Sequence, residues 1–328
     1  MKKFGLTFLA LGVMLLASCG VPKKSEQKIQ VVTTIFPEYD WVREIAGSDL
    51  DGLELTLLTE NGTDLHSYQP SVQDMAKIAS ADIFIYVGGE SDAWVTKALL
   101  NATNKDMTVI NLLETLGDNV KEEEIKEGMQ AEDEHDHEGE EHHEEEEEYD
   151  EHVWLSLRNA ATICEEICSA LCKKIPAKEE AFKANAASYV GKLNALDAKY
   201  QSMVKNADLK TVLFADRFPF RYLVDDYGLD YYAAFVGCSA ETEASFKTVI
   251  FLAQKVDDLN LPFIFIIETG DQKIAKTVID SSQNKSVGIL KLNSMQGVTL
   301  SQAEGGTTYL GIMEENCTTL EQALRLGK

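Results

Sequence analysis

Short runs rich in Val, Ile and Phe alternate with helix-forming stretches twice along this chain, and one long helical segment separates the two sets. The first set places strands at 28–35, 53–58, 82–87 and 107–111, with helices from Tyr39 through Ile45, at 71–79 and at 94–101. Ser71 followed by Asp74 three residues later is a helix-start signature. Strands alternating with helices at this spacing specify a parallel sheet covered on both faces. The second set places strands at 211–215, 229–235, 263–267 and 288–292, with helices at 220–227, 243–260, 271–283 and 309–326. Between the sets, Phe182, Tyr189, Leu193, Leu196 and Tyr200 recur at helical spacing over 177–204. Some 28 residues at ~1.5 Å per residue span about 42 Å, enough to run the length of a two-domain protein. The expected fold class is therefore α/β: two similar-sized lobes with mostly parallel sheets, joined by one long rigid helix.

Composition sharpens the division. A chain of 328 residues with 45% apolar content can bury more than one core. The expected organisation is a first lobe at 29–175, a linking helix at 176–206 and a second lobe at 207–328. The net charge of −25 excludes a nucleic-acid partner, because phosphate would be repelled. That charge is concentrated: residues 118–151 hold 19 Asp or Glu against two Lys. With few large apolar residues and no period, 118–149 is expected to be a disordered surface loop.

The amino terminus is an address. Lys2 and Lys3 precede an apolar run over 4–17 that is too short for an ordinary spanning helix. The run ends in Leu16-Ala17-Ser18-Cys19-Gly20, which resembles the bacterial lipoprotein signal, with Cys19 as the lipid-bearing residue. Residues 1–19 would be the signal and 20–28 a tether. The mature protein would be exported and lipid-anchored on the extracytoplasmic face of the membrane.

All six histidines fall in three places: His66, the acidic tract with His135, His137, His142 and His143, and His152. Imidazole is the commonest protein ligand for zinc and other transition metals. Two isolated histidines bracketing a His/Glu tract suggest a metal site with an accessory loop that gathers the ion weakly. Catalysis finds no support: there is no His-Glu-x-x-His helix, and no Ser/His/Asp or Cys/His arrangement has supporting context, so the chain is expected not to be an enzyme. Cys164, Cys168 and Cys172 lie on one helical stripe with Ala161 and Ile167 beside them, which indicates core packing. Cys238 and Cys317 could pair in an oxidising compartment, but sequence does not supply the Cα separation that a disulfide needs.

Several spaced motifs then agree. They are Val31-Val-Thr-Thr-Ile-Phe-Pro37, the Gly-x-x-x-His-x-Tyr-x-Pro-Ser stretch from Gly62 to Ser71, Ala81-Asp82 with its strand, Glu90 and Trp94, and the acidic tract. His152-Val-Trp-Leu155, Asn185 to Tyr189, Tyr227-Gly228-Leu229, Glu243-Ala-Ser245 and Ile267-Glu268 complete them. From Val31 onward this order resembles the zinc/manganese substrate-binding lipoproteins of bacterial ABC importers, the zinc-uptake and adhesin-lipoprotein family.

The resemblance implies a metal site in the cleft between the lobes, with ligands at four places. His66 and His152 match histidine positions, and Asp64 matches an acidic position suited to an outer partner for an imidazole. The third place departs from the family, which has His or Glu at the end of the first strand of lobe two, followed by an aromatic and Tyr. Here residues 214–222 read Phe-Ala-Asp-Arg-Phe-Pro-Phe-Arg-Tyr. Counting from the strand gives Asp216; counting back from Tyr222 gives Arg217, which has no acceptor and cannot ligate a cation. Asp216 is the expected third ligand and Glu268 the fourth, with Asp271 as its alternative. The implied function is capture of a divalent transition metal and delivery to an ABC importer permease, by a monomer. Zinc is the expected cargo, with manganese or iron as alternatives; a metal-dependent adhesin or metal-buffering lipoprotein would differ only in partners.

Overall fold

In the computed structural model of the chain, the β-branched runs pair into two four-stranded sheets, each parallel throughout. The structure describes residues 28–47, 50, 52–130, 148–239 and 243–325.

The first lobe contains β1 (Ile29–Thr33), α1 (Phe36–Ala46), β2 (Leu53–Leu57), α2 (Val72–Ser80), β3 (Ile83–Tyr86), α3 (Val95–Leu100), β4 (Thr108–Asn111) and α4 (Leu112–Leu116). Its sheet order is β2-β1-β3-β4, with Val31 opposite Leu55 and Val32 opposite Phe84. The central strands β1 and β3 are apolar on both faces because both faces are covered. Pro37 sits in the first turn of α1, where a missing N–H costs nothing. The Glu38 carboxylate turns back to accept the N–H groups of Thr34 (2.8 Å) and Ile35 (3.2 Å). α2 starts as its sequence predicts: Ser71 Oγ accepts the Asp74 N–H, and Asp74 accepts the Ser71 N–H. Strand order reverses between β1 and β3, so the crevice beyond their carboxyl ends is the natural place for a ligand.

Two long helices follow: α5 (Leu157–Lys174), which packs on α1, α4 and β4 of the first lobe, and α6 (Glu179–Lys205), which leads to the second lobe. α6 has 27 residues, about 40 Å of helix. It begins later than the sequence suggests, because Ile175-Pro176 first makes a 3-10 turn over Pro176–Lys178. The second lobe follows with β5 (Thr211–Phe218), α7 (Arg221–Tyr227), β6 (Asp230–Val236), α8 (Phe246–Asp258), β7 (Phe263–Ile267), α9 (Lys273–Ser281), β8 (Gly288–Leu292), α10 (Leu300–Glu304) and α11 (Tyr309–Leu324). Its sheet order, β6-β5-β7-β8, repeats the first. β5 runs three residues past its expected end, and its pairing with β6 shifts register between Phe214 and Arg217.

The lobes share a core. One continuous apolar cluster contains Trp41, Trp154, Tyr189, Tyr200, Phe220 and Tyr309, all buried. Three of these aromatics carry their polar tips to carbonyls across the body. Trp154 Nε1 donates to Ser294 O (2.8 Å), Tyr309 Oη to Trp154 O (2.7 Å), and Tyr200 Oη to Met313 O (2.6 Å).

The acidic tract is folded further than expected. Residues 118–130 and 148–149 pack onto the body: Lys121 N–H donates to Tyr222 Oη (3.0 Å), Glu123 N–H to Glu148 O (2.8 Å) and Gln130 N–H to Ala234 O (2.9 Å). Val120 and Met129, two apolar side chains among the acids, lie against the shared core. His135, His137, His142, His143 and Cys19 lie outside the described residues. Cys164 and Cys168 are buried and Cys172 packs beside them, as core residues; these three, Cys238 and Cys317 are free thiols. Among the described residues no helix is long and apolar enough to cross a membrane.

Candidate metal centre

His66 sits in a 3-10 turn, Leu65–Ser67, in the loop that leaves β2. Asp64 starts that turn by accepting the His66 N–H at its Oδ1 (3.1 Å). His152 stands just before a second 3-10 turn, Val153–Leu155, that leads into α5. Here too an aspartate two residues earlier accepts the histidine N–H, with Asp150 Oδ1 at 2.8 Å. The chain thus uses the same Asp-x-His turn twice.

The two imidazoles meet with Nε2 atoms 3.1 Å apart. Their outer nitrogens are occupied. His66 Nδ1 lies 2.7 Å from Ser91 Oγ and 3.5 Å from Glu151 Oε2, and His152 Nδ1 lies 3.0 Å from Asp150 Oδ1. Asp150 Oδ1, which can only accept, holds the His152 ring proton at Nδ1; Ser91 Oγ, which can accept or donate, can hold the His66 proton at Nδ1 in the same way, and that arrangement leaves a lone pair on each Nε2. In that arrangement two lone pairs face each other at 3.1 Å, a geometry that a cation between them would satisfy. Protonation is a poor substitute: burial, then the His152 ring, drive His66 down to about 3, against the pull of Asp64. Around tetrahedral zinc, ligand nitrogens at ~2.0–2.1 Å would lie about 3.3 Å apart, close to the spacing present.

Supporting residues come from both lobes. Glu151 Oε1 accepts the Ser91 N–H (2.9 Å), tying the loop after β3 to the turn before α5. Asp150 is held in place by Tyr222 Oη, which donates to its carbonyl (2.8 Å). Gly237, after β6, has no Cβ because one would lie 2.9 Å from His152 Cε1 and 2.9 Å from Phe218 O. The Trp154 indole lies 5.2 Å from the His152 ring, centroid to centroid.

The carboxylates expected from lobe two are engaged elsewhere. Asp216 Oδ1 accepts the Arg217 N–H (2.8 Å), and Oδ2 accepts the Ile267 N–H (3.1 Å). A Cβ on Gly270 would fall 2.0 Å from Asp216 Oδ2, so this carboxylate packs against the backbone after β7. Arg217, the next residue of β5 within its register shift, meets Asp64 (2.8 Å), and Asp64, Asp216 and Arg217 line one cavity. Glu268 braces the loop after β8, accepting Ser294 N–H (2.7 Å), Ser294 Oγ–H (2.9 Å) and Gly297 N–H (3.3 Å). Asp271 is exposed and pairs with Lys273 (2.8 Å). Asp64 itself pairs with Arg217 instead of with an imidazole. Burial alone would raise its carboxyl, but the guanidinium holds it below the usual aspartate range.

The residue that does approach from lobe two is Cys238. The ligand atoms of His66, His152 and Cys238 lie within 4.8 Å of one another. His66 and Cys238 line a shared cleft of about 470 Å³ with Glu90, Ser91, Glu123 and Glu151. The sequence offered Cys238 only as a disulfide candidate. Its signal was positional: it follows a buried strand, at the sheet end where ligands gather.

Comparison with known proteins agrees with this architecture. A family model described as zinc-uptake complex component A, periplasmic (ZnuA), matches residues 31–323. The zinc-binding lipoprotein AdcA of Streptococcus pneumoniae is 33% identical over 322 residues, 98% of this chain and 61% of that protein. The chain therefore spans about three-fifths of that relative's length. The high-affinity zinc uptake system protein ZnuA of Bacillus subtilis is 28% identical over 329 residues, 98% of each chain. Among solved structures, the Zn(II)-bound ZnuA-like domain of S. pneumoniae AdcA aligns with a TM-score of 0.69 at 29% identity, covering 91% of this chain and all of that one. The metal-dependent lipoprotein YcdH of B. subtilis aligns with a TM-score of 0.71 at 25% identity, again over 91% and 100%.

Proposed function

We propose that this chain, which belongs to the family of periplasmic zinc-uptake complex component A, captures a divalent transition metal, zinc above all, outside the cytoplasm and hands it to the permease of an ABC importer. The observation that carries the reading is the facing Nε2 pair of His66 and His152, 3.1 Å apart, with both outer nitrogens already occupied. A neutral imidazole pair in a partly buried cleft binds the ion reversibly, with no bond of a substrate made or broken. Lipid on Cys19 would keep the protein at the membrane surface, and it would act as a monomer. His135, His137, His142 and His143 would raise the local metal concentration without forming the tight site.

The test is native mass spectrometry, with zinc competed by a chelator, on wild type and on His66→Ala and His152→Ala. Wild type should retain one tight zinc, and each variant should lose it. Retention of the tight zinc by both variants would disprove the reading.

A further inference from the structure

We propose that Cys238 is the third ligand of the site, so that lobe two contributes a thiolate to a His2Cys centre and the chain selects a borderline or soft divalent ion over manganese. This rests on the reading that His66 and His152 hold the cargo metal.

The argument is geometric first. Among the described residues, the group of three or more potential ligand side chains drawn together is His66, His152 and Cys238, with ligand atoms inside 4.8 Å. Around a zinc ion with ~2.3 Å to sulfur and ~2.0–2.1 Å to nitrogen, ligand atoms sit roughly 3.3–3.6 Å apart. A movement of about 1 Å therefore closes the set. The two imidazoles point their unprotonated nitrogens into this space, so the cysteine is one corner of a formed site.

The competing donors are spoken for. Both oxygens of Asp216 accept backbone N–H groups, from Arg217 and Ile267, and both oxygens of Glu268 brace the loop after β8. Arg217, which occupies the other possible register, offers only donors and a fixed positive charge. A thiolate supplies the negative charge that Asp216 and Glu268 do not bring.

The coordination step balances with one proton. The Cys238 S–H bond breaks as the sulfur–metal bond forms, against the burial and the nearby Asp150, Glu123 and Glu151 carboxylates that hold the proton on the thiol, and the proton leaves to water. Sulfur prefers zinc to manganese, a hard ion suited to oxygen donors.

Cobalt(II) provides the probe. The full-length chain, loaded with one equivalent of Co2+, should show an intense near-ultraviolet sulfur-to-cobalt charge-transfer band. Cys238→Ser should still bind Co2+ but lose that band, and its zinc affinity should fall by roughly 100-fold. The band's presence in wild type and absence in Cys238→Ser supports the proposal. Wild type that binds Co2+ without the band overturns it while leaving the imidazole site intact, as does a band that survives in Cys238→Ser. Wild type that binds neither Co2+ nor Zn2+ overturns the proposed function as well.

Discussion

Arg217 Nη2 lies 2.8 Å from Asp64 Oδ2, joining β5 of one lobe to the turn that carries His66 in the other. Both side chains are largely buried, so the pair is shielded from water. It places a permanent cation beside the proposed cation site, and that sets up opposite effects on stability and on affinity.

Replacing Arg217 with Gln should destabilise the metal-free protein by about 1–3 kcal/mol, because Asp64 is left buried without its counter-charge. The same change should tighten zinc binding by roughly tenfold, since one positive charge is removed and Asp64 is freed to act on the ion. Thermal unfolding of apo protein and chelator competition on the loaded form read the two effects separately. Affinity that falls along with stability would show that Arg217 supports the site.

Gly237 gives a test that replaces no ligand. A Cβ there would press on His152 Cε1 and on Phe218 O, both at 2.9 Å. Gly237→Ala should weaken zinc binding by about tenfold or more, near 1.4 kcal/mol. The circular-dichroism spectrum should be unchanged. An unaltered zinc affinity would mean that the His152 ring has room to move.

The pH dependence of stability turns on Glu38 and Asp92. Burial lifts Glu38 to about 8, with help from Asp92, and burial lifts Asp92 to about 7, with help from Glu151. In the unfolded chain these groups titrate near 4.5 and 3.8. The folded state therefore keeps protons that the unfolded state releases. The stability they contribute is full below about pH 4 and is lost as pH rises through 7 and 8. Glu38→Gln keeps an acceptor for the Thr34 and Ile35 N–H groups but carries no charge. Its melting temperature should gain on wild type steadily between pH 5.5 and 8.5; parallel curves would refute the assignment.

Removal of residues 131–147 should leave the tight zinc equivalent in place and abolish weaker ones, as native mass spectrometry would count. A longer deletion, 119–148, should in addition lower the melting temperature. It removes the Lys121 bond to Tyr222 and the Gln130 bond to Ala234. Loss of the tight equivalent in the shorter deletion would move the main site into the tract.

Repeating hydrophobic patterns made the architecture legible. The strands Phe263–Ile267 and Gly288–Leu292 lie where their apolar runs place them, and Ser71 caps α2 as its spacing requires. His66 and His152 could be paired because both flank one acidic tract. The lobe-two side of the site was harder to see, for a physical reason. Whether Asp216 or Arg217 falls at the expected ligand position depends on a one-residue step, and a register shift in β5 lies between Phe214 and Arg217. Cys238 was hidden because a lone cysteine after a strand has the same local pattern whether it packs, pairs or ligates. The repeated Asp-x-His turn was readable at Asp64 and Asp150, yet only the fold shows that Asp150 serves its own imidazole while Asp64 serves Arg217.

The nearness of His152 to Trp154 has a practical outcome. The indole lies 5.2 Å from a ring that faces the cleft, and its N–H is fastened to Ser294 on the opposite lobe. One of three tryptophans in the chain thus stands at the seam and beside the proposed metal site at once. Intrinsic tryptophan fluorescence is therefore expected to respond both to arrival of a metal at His152 and to any parting of the lobes, without a label.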